Sequence, residues 1–212
     1  MNAKRFVGLT LVAVAVAASG AAADVITYKG MGLNSTVKID ADGALVDGMT
    51  IYAGQIQIAY QGVDYDAYCV DINHYVGNGD VTEWSVGLLN RGDQVAWLLE
   101  TYADTVATGN QAAGLQSAIW ELVNEASGPF DLSKGDFRIE KNKHALAEGM
   151  AMLAGLPDTY APQTELLVLH SDTRQDLIIG TGAPVPEPGT LTLIGAFGLP
   201  LALRRRRQAA RA

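Results

Sequence analysis

The stretch LQSAIWELVNE (residues 115–125) decides how the rest of the chain reads. Leu115, Ala118, Ile119, Leu122 and Val123 recur three or four apart, the spacing of one apolar stripe on a helix. Gln116 sits one position off that stripe, four residues before Trp120. The pattern predicts a helix over 111–126, ended by Ser127-Gly128-Pro129. Whatever surrounds it must accommodate a helix with one strongly apolar face.

What precedes that helix reads as strands. The segments 25–28 and 36–40 are short β-branched runs separated by Gly and Asn turns. MTIYAGQIQIAY (49–60) alternates, with Ile56, Ile58 and Tyr60 on one face and Gly54 placed for a bulge. YDAYCVDI (65–72) alternates again: Tyr65, Ala67 and Cys69 share one face, and Tyr68, Val70 and Ile72 the other. GNGD (77–80) reads as a turn. A helix over 90–106 with Asn90 as its cap precedes the 111–126 helix, and an amphipathic helix over 140–153 follows it. Short strands at 165–170 and 176–179 close the body. The expected class is α+β: a strand-rich N-terminal half, forming a sandwich- or barrel-like sheet, with two to three helices inserted before the last strands.

The two ends belong to a different logic. Residues 1–23 carry a basic start (Lys4, Arg5), an apolar run over 6–18 and the small residues Ala21-Ala22-Ala23. This is the pattern of a signal peptide cleaved between Ala23 and Asp24; an uncleaved anchor helix is the alternative. At the other end, 184–212 holds Pro186-Glu187-Pro188, an apolar uncharged stretch over 190–203, and Arg204, Arg205, Arg206 and Arg207. The apolar stretch is short for a full membrane span, and the arginines favour the cytoplasmic side. In these three parts, taken in order, the tail resembles the PEP-CTERM class of exported bacterial proteins. That resemblance implies an exosortase-type sorting enzyme that cuts near the motif, in a Gram-negative bacterium. It also implies a precursor held in the inner membrane by its C-terminal helix before processing. The product then goes to the cell surface or the extracellular matrix. A plain single-pass anchor is the alternative reading of the same residues.

The body, 24–183, is one domain by size. The whole chain has 212 residues and a net charge of −8. Seven of its 15 Lys and Arg lie in the two ends, and only Glu187 of its 23 Asp and Glu does, so the body carries eight basic against 22 acidic residues, near −14. Such a surface is repelled by nucleic acid and anionic lipid, which excludes nucleic acid as a partner, and it suits cationic ones. Cys69 is the single cysteine. In an oxidising compartment it has no internal partner, so it is either a reactive thiol, an intermolecular bridge or a small buried hydrophobe.

Two motifs sharpen that choice. YCVDI (68–72) is followed by VAWLLETY (95–102) and LQSAIWEL (115–122). Together they resemble the thioester domains of bacterial surface adhesins, with a weaker echo in QDLIIG (175–180). That family carries a cysteine in a Tyr-Cys-hydrophobic-acidic strand motif and a glutamine ahead of x-Ala-Ile-Trp on a later helix. The resemblance implies Cys69 as the thiol and Gln116 as the acyl donor of an internal thioester. Tyr68, Asp71, Ile119 and Trp120 are the motif neighbours. It further implies a partner that bears an amine, on a surface protein or a polysaccharide, captured once per molecule rather than turned over. Known members come mostly from Gram-positive surfaces, so the sorting tail is a departure that leaves the target open.

The chemistry asks for an activated thiol, a close carbonyl and donors for the oxyanion, all held by the fold. Gln94 and Gln111 are rival donors; Gln94 also precedes an Ala and a Trp but lacks the isoleucine. Two other functions stay open. One is a passive surface or matrix protein with a buried, unreactive Cys69. The other is a cysteine hydrolase with His74 or His170 as base. Asp71, Asn73, Asn78 and Asp80 suggest a calcium loop, although Tyr75 and Val76 occupy positions where an EF-hand needs a ligand and glycine. Arg91-Gly92-Asp93 spells an adhesion tripeptide at a helix start. No metal cluster and no cofactor motif are expected.

Overall fold

The computed structural model describes residues 24–126 and 128–184. The expected signal peptide (with Ala23) and the sorting tail (with Pro186, Glu187, Pro188 and Arg204 to Arg207) lie outside them. The elements run β1 (Asp24–Ala41), β2 (Thr50–Tyr60), β3 (Val63–Cys69), β4 (Gly79–Ser85), α1 (Gly92–Tyr102), α2 (Gly109–Asn124), β5 (Phe137–Ile139), α3 (Lys143–Leu153), β6 (Thr164–His170) and β7 (Leu177–Pro184). The class is α+β, as the sequence predicts. All strand pairings are antiparallel. In the order β2-β3-β7-β6-β4-β1 they return to β2 through the β1–β2 pairing, so six strands close a ring. Of the two expected sheet forms, this is the barrel-like one. β5 extends it, pairing with the far end of β1 at Ile39–Ala41.

β1 is one 18-residue strand rather than the two short runs its sequence suggests. The residues that read as turns are bulges, at register shifts between Tyr28 and Gly30 and between Met31 and Asn34. Opposite the second shift sits Gly54, with φ +137°. A Cβ there would lie 2.3 Å from the Leu33 carbonyl oxygen, so only glycine fits. Just past this point β2 parts from β3: their last paired residues are Ile56 and Ala67.

The central helix departs from the amphipathic expectation. Every residue of α2 from Ala112 to Leu122 is buried, Gln116 included. The apolar stripe meets β1, β2 and β3, while the polar-looking side is covered by α1 and α3. Small residues make this possible. Gly114 of α2 crosses Gly149 of α3 so closely that a Cβ on Gly114 would fall 2.7 Å from the Glu148 Cβ and 2.8 Å from the Gly149 nitrogen. Thr108 caps the start of α2, its side chain accepting from the Gln111 N–H at 3.3 Å.

Two strands escape the sequence reading. β4 has one buried residue, Val81, so it shows no alternation, and its first residues lie in the expected GNGD turn. β5 spans three residues. The expected Asn90 cap is also displaced. Arg91 precedes α1 in a left-handed conformation (φ 52°), and Asn90 donates instead to the Val123 carbonyl, at 3.0 Å. Among the described residues no helix is long and apolar enough to cross a membrane.

The Gly114–Gly149 crossing yields a prediction. Gly114→Ala forces α2 and α3 apart and lowers stability by about 1–3 kcal/mol, the usual range for overpacking. Urea unfolding followed by tryptophan fluorescence measures it; an unchanged midpoint would show that the crossing is slack.

Candidate functional site

Cys69 ends β3, buried, on the same face as Ala67. Its main-chain groups have an unusual partner. The Val70 N–H bonds the Asp176 carbonyl, toward β7, at 3.0 Å. Successive residues of a strand point their N–H and C=O groups to opposite sides, so those of Cys69 face the side that β2 has already left. The Gln116 carboxamide fills that gap. The Cys69 N–H donates to Gln116 Oε1 at 2.9 Å, and Gln116 Nε2 donates to the Cys69 carbonyl at 2.8 Å. A side chain from the central helix thus completes a ladder rung, and it joins residues 47 apart.

Chemically, this pair brings a carboxamide against the residue that carries the chain's one thiol. The Oε1 of Gln116, where negative charge develops when a nucleophile adds to Cδ, already accepts from a backbone N–H, the kind of donor an oxyanion needs. The thiol is not activated: burial, and then the Asp71 carboxylate, push it well above its ordinary value. That is the opposite of the depressed value the thioester chemistry asks for.

The other expected residues fall around this centre. Tyr68 is buried on the opposite face of β3 from Cys69, and its hydroxyl has no hydrogen-bond partner. Asp71 follows the strand, accepting from the Asn73 N–H at 2.7 Å and meeting His74 Nδ1 at 2.6 Å. Ile119 and Trp120 are core residues; the Trp120 ring tilts against Phe137 at 6.2 Å, and its Nε1 has no partner. Asp24 begins β1 and accepts from the Tyr60 hydroxyl at 3.0 Å.

The structure brings none of the rivals to the thiol by a hydrogen bond. Gln94 donates to the Pro157 carbonyl, and Gln111 accepts from the Ala107 N–H. His170 stacks on Trp84 at 3.6 Å and contacts Asp176 and Asp172, while His74 is engaged with Asp71. The loop read for calcium is dispersed: Asn78 accepts from the Tyr28 N–H and Asp80 belongs to β4. Among the described residues the carboxylates close enough to share an ion are Asp40, Asp42 and Asp47. Two of these are already bonded, Asp40 to Arg138 and Asp47 to the Ala41 N–H. The adhesion tripeptide is internal scaffolding. Arg91 donates to the carbonyls of Leu122, Glu125 and Ala126 at the end of α2, and lies 4.9 Å over the Phe130 ring.

One pair of functional-looking groups escaped the sequence reading: Glu121 and Glu125, one turn apart near the end of α2. Their signal is two carboxylates inside a run that is otherwise buried. Glu121 Oε1 accepts from the Asp131 N–H at 2.7 Å; Oε2 has no partner. Burial pushes its carboxyl up to about 7. Glu125 accepts from the N–H groups of Asp136 and Phe137. The two carboxylates therefore staple the 128–137 loop onto the helix.

No family model matches the sequence, and no curated protein matches it significantly. Among solved structures, the N-terminal domain of the Streptococcus pyogenes pilus tip adhesin Cpa aligns with 61% of this chain and 84% of its own. The identity is 16% and the TM-score 0.41.

The Glu121 environment predicts a pH dependence. The unfolded carboxyl releases its proton near 4.5 and the folded one near 7, so this contribution to stability is full below pH 4.5 and falls as pH rises through about 7. Glu100 and Asp131, held below the usual carboxylate range, act in the opposite sense only at lower pH. Thermal melts should lose about 1–3 kcal/mol between pH 5 and 8 in the parent chain. Glu121→Gln should flatten that slope; an equal slope in the variant would assign it elsewhere.

Proposed function

We propose that the protein is an exported surface or matrix protein that attaches covalently to amine-bearing partners through an internal thioester between Cys69 and Gln116. The observation that supports this reading is the reciprocal pair of hydrogen bonds that sets the Gln116 carboxamide on the main chain of Cys69. The cysteine and glutamine motifs of the sequence select the same two residues independently.

In forming the bond, Sγ adds to Cδ of Gln116 and the Cδ–Nε2 bond breaks. The thiol proton passes to the departing nitrogen, and one ammonia leaves. The Cys69 N–H steadies Oε1 through the addition. Because the raised thiol keeps its proton at neutral pH, formation is a slow maturation step rather than part of a catalytic cycle. An amine on the partner then adds to the stored acyl carbon, an amide forms, and the thiol regains its proton. Each molecule acts once, so the protein is a crosslinker and not an enzyme. In the reading carried over from the sequence, an exosortase-type enzyme releases it from the inner membrane to the surface or matrix, where a protein or polysaccharide amine meets it.

A second reading is favoured by burial itself. Gln116 is wholly inaccessible and Cys69 is 4% exposed. If the pair is only a structural rung, the protein is a passive matrix component with an inert thiol. The intact mass of the purified chain separates the two. The thioester predicts a mass lower by one ammonia, a gain of one methylamine on treatment (an N-methylamide at Gln116, one methylene above the full mass), and loss of both signatures in Cys69→Ala or Gln116→Ala. A full mass, with a thiol that titrates on unfolding, overturns it.

A further inference from the structure

The ring of strands closes on a short seam. β1 and β4 pair over three residues, Asp24 with Val81, Val25 with Asp80 and Ile26 with Gly79. On its other side β1 pairs with β2, Ile26 opposite Tyr60. Residues opposite one another in a ladder share a face, and so do residues two apart along a strand. Asp24 and Glu83 therefore lie on the face that Ile26, Tyr60 and Val81 bury.

Polar side chains from three strands meet at this end of the seam. The Tyr60 hydroxyl, on a side chain 2% exposed, lies 3.0 Å from Asp24 Oδ2 and 2.7 Å from Glu83 Oε1. It has one hydrogen, so it can donate to only one of them. Gln61 Nε2 donates to Asp24 Oδ2 at 2.7 Å and stands 3.4 Å from Glu83 Oε1. Burial, Glu83 and Asp24 all push the Tyr60 hydroxyl up, so it keeps its proton. Two carboxylates thus gather on one hydroxyl oxygen with neutral donors alone. Neither is in an ion pair among the described residues. Like charges held this close favour a cation between them.

The sequence supplies one. Ala21-Ala22-Ala23 places the expected leader cleavage immediately before Asp24. Hydrolysis there, by a signal-peptidase-type enzyme, adds one water across the Ala23–Asp24 peptide bond. The water oxygen goes to the Ala23 carbonyl carbon, and the freed Asp24 nitrogen takes up protons and is an ammonium at neutral pH. That nitrogen shares its Cα with the Asp24 carboxylate, so covalent geometry alone keeps it within a few ångströms of Oδ2. We propose that the Asp24–Tyr60–Glu83 cluster seats this new α-ammonium, both carboxylates accepting from it, so that removal of the leader completes the seam that closes the ring. In the precursor the same nitrogen is an uncharged amide with one hydrogen. The inference rests on export through cleavage after Ala23, and on no property of Cys69 or Gln116.

The test compares a chain beginning at Asp24 with one beginning at Ala22, both with the native C-terminus. The second carries its ammonium two residues away, about 7 Å along an extended chain. At pH 7 the chain from Asp24 should melt a few degrees higher. The two carboxylates raise the folded amine above its ordinary value of about 7.7–8.0, so the extra stability is full below that value and is lost as pH rises through the folded one. Glu121 acts equally in both chains and cancels. Glu83→Gln should remove most of the difference. The amine is also titrated directly, by the carbon-13 shift of the Asp24 Cα: it should titrate above the ordinary range in the parent and closer to it in Glu83→Gln. Equal melting temperatures, a difference unmoved by Glu83→Gln, or an amine that titrates in the ordinary range overturns the seat. N-terminal sequencing of the exported protein checks the cleavage separately. A start at Asp24 supports the maturation role; any other start overturns that role, while the melts still report on the cluster. None of these outcomes bears on the thioester, which the intact mass decides.

Discussion

The Gln116 carboxamide gives both of its polar atoms to the main chain of one residue, Cys69, in a place that water does not reach. Much of the domain is arranged so that this can happen. β2 must leave β3 after Ile56, which the tight passage at Gly54 accompanies. Helix α2 must come close enough to the barrel wall to substitute for a strand, which requires the small residues along it and the Gly114–Gly149 crossing behind it. A buried backbone N–H and C=O without partners would each be expensive, so the rung is a structural requirement before it is anything else. Its chemical interest comes from the same geometry: a backbone donor is already in place at the oxygen where charge would gather.

The charges around α2 follow a consistent plan. Its last turn is held by Arg91 reaching three carbonyls, the favourable sign of charge at a helix C-terminus. Its two carboxylates face the other way, accepting backbone N–H groups from the loop that leads to β5. The helix thus has its end fixed from one side by a cation and its neighbouring loop fixed from the other by anions. What remains of the acidic excess is spread over the surface.

Most of this architecture was legible from residue patterns, and the exceptions have physical reasons. β2 shows clean alternation because its Ile56, Ile58 and Tyr60 face is buried, β3 is readable from its β-rich run although both its faces are buried over 67–69, and the three helices are readable from their apolar stripes. β4 was invisible because only Val81 is buried, and β5 because three residues make no period. The Gly and Asn residues of β1 mean turns in most chains; here they are bulges, and only the partner strand distinguishes the two. The cysteine and glutamine could be paired from their motifs, whereas the manner of pairing could not. Gln116 reads as a residue at the edge of a stripe until β2 is seen to leave β3 and open the place that its carboxamide fills. The orphan Tyr68 hydroxyl and the raised Glu121 carboxyl are properties of packing between distant segments, and no local pattern encodes them.

Closure of the strand ring has a consequence for how copies of the domain meet. An open sheet presents a row of unsatisfied N–H and C=O groups that can recruit a neighbouring molecule, including an identical copy. In the described fold each of the six ring strands has partners on both sides for at least part of its length, and β5, which extends the ring, offers three residues. The one stretch of ring strand that β2 abandons is covered by a glutamine. Closure therefore shortens the open edges through which copies of the domain could pair, and its acidic surface adds like-charge repulsion between them.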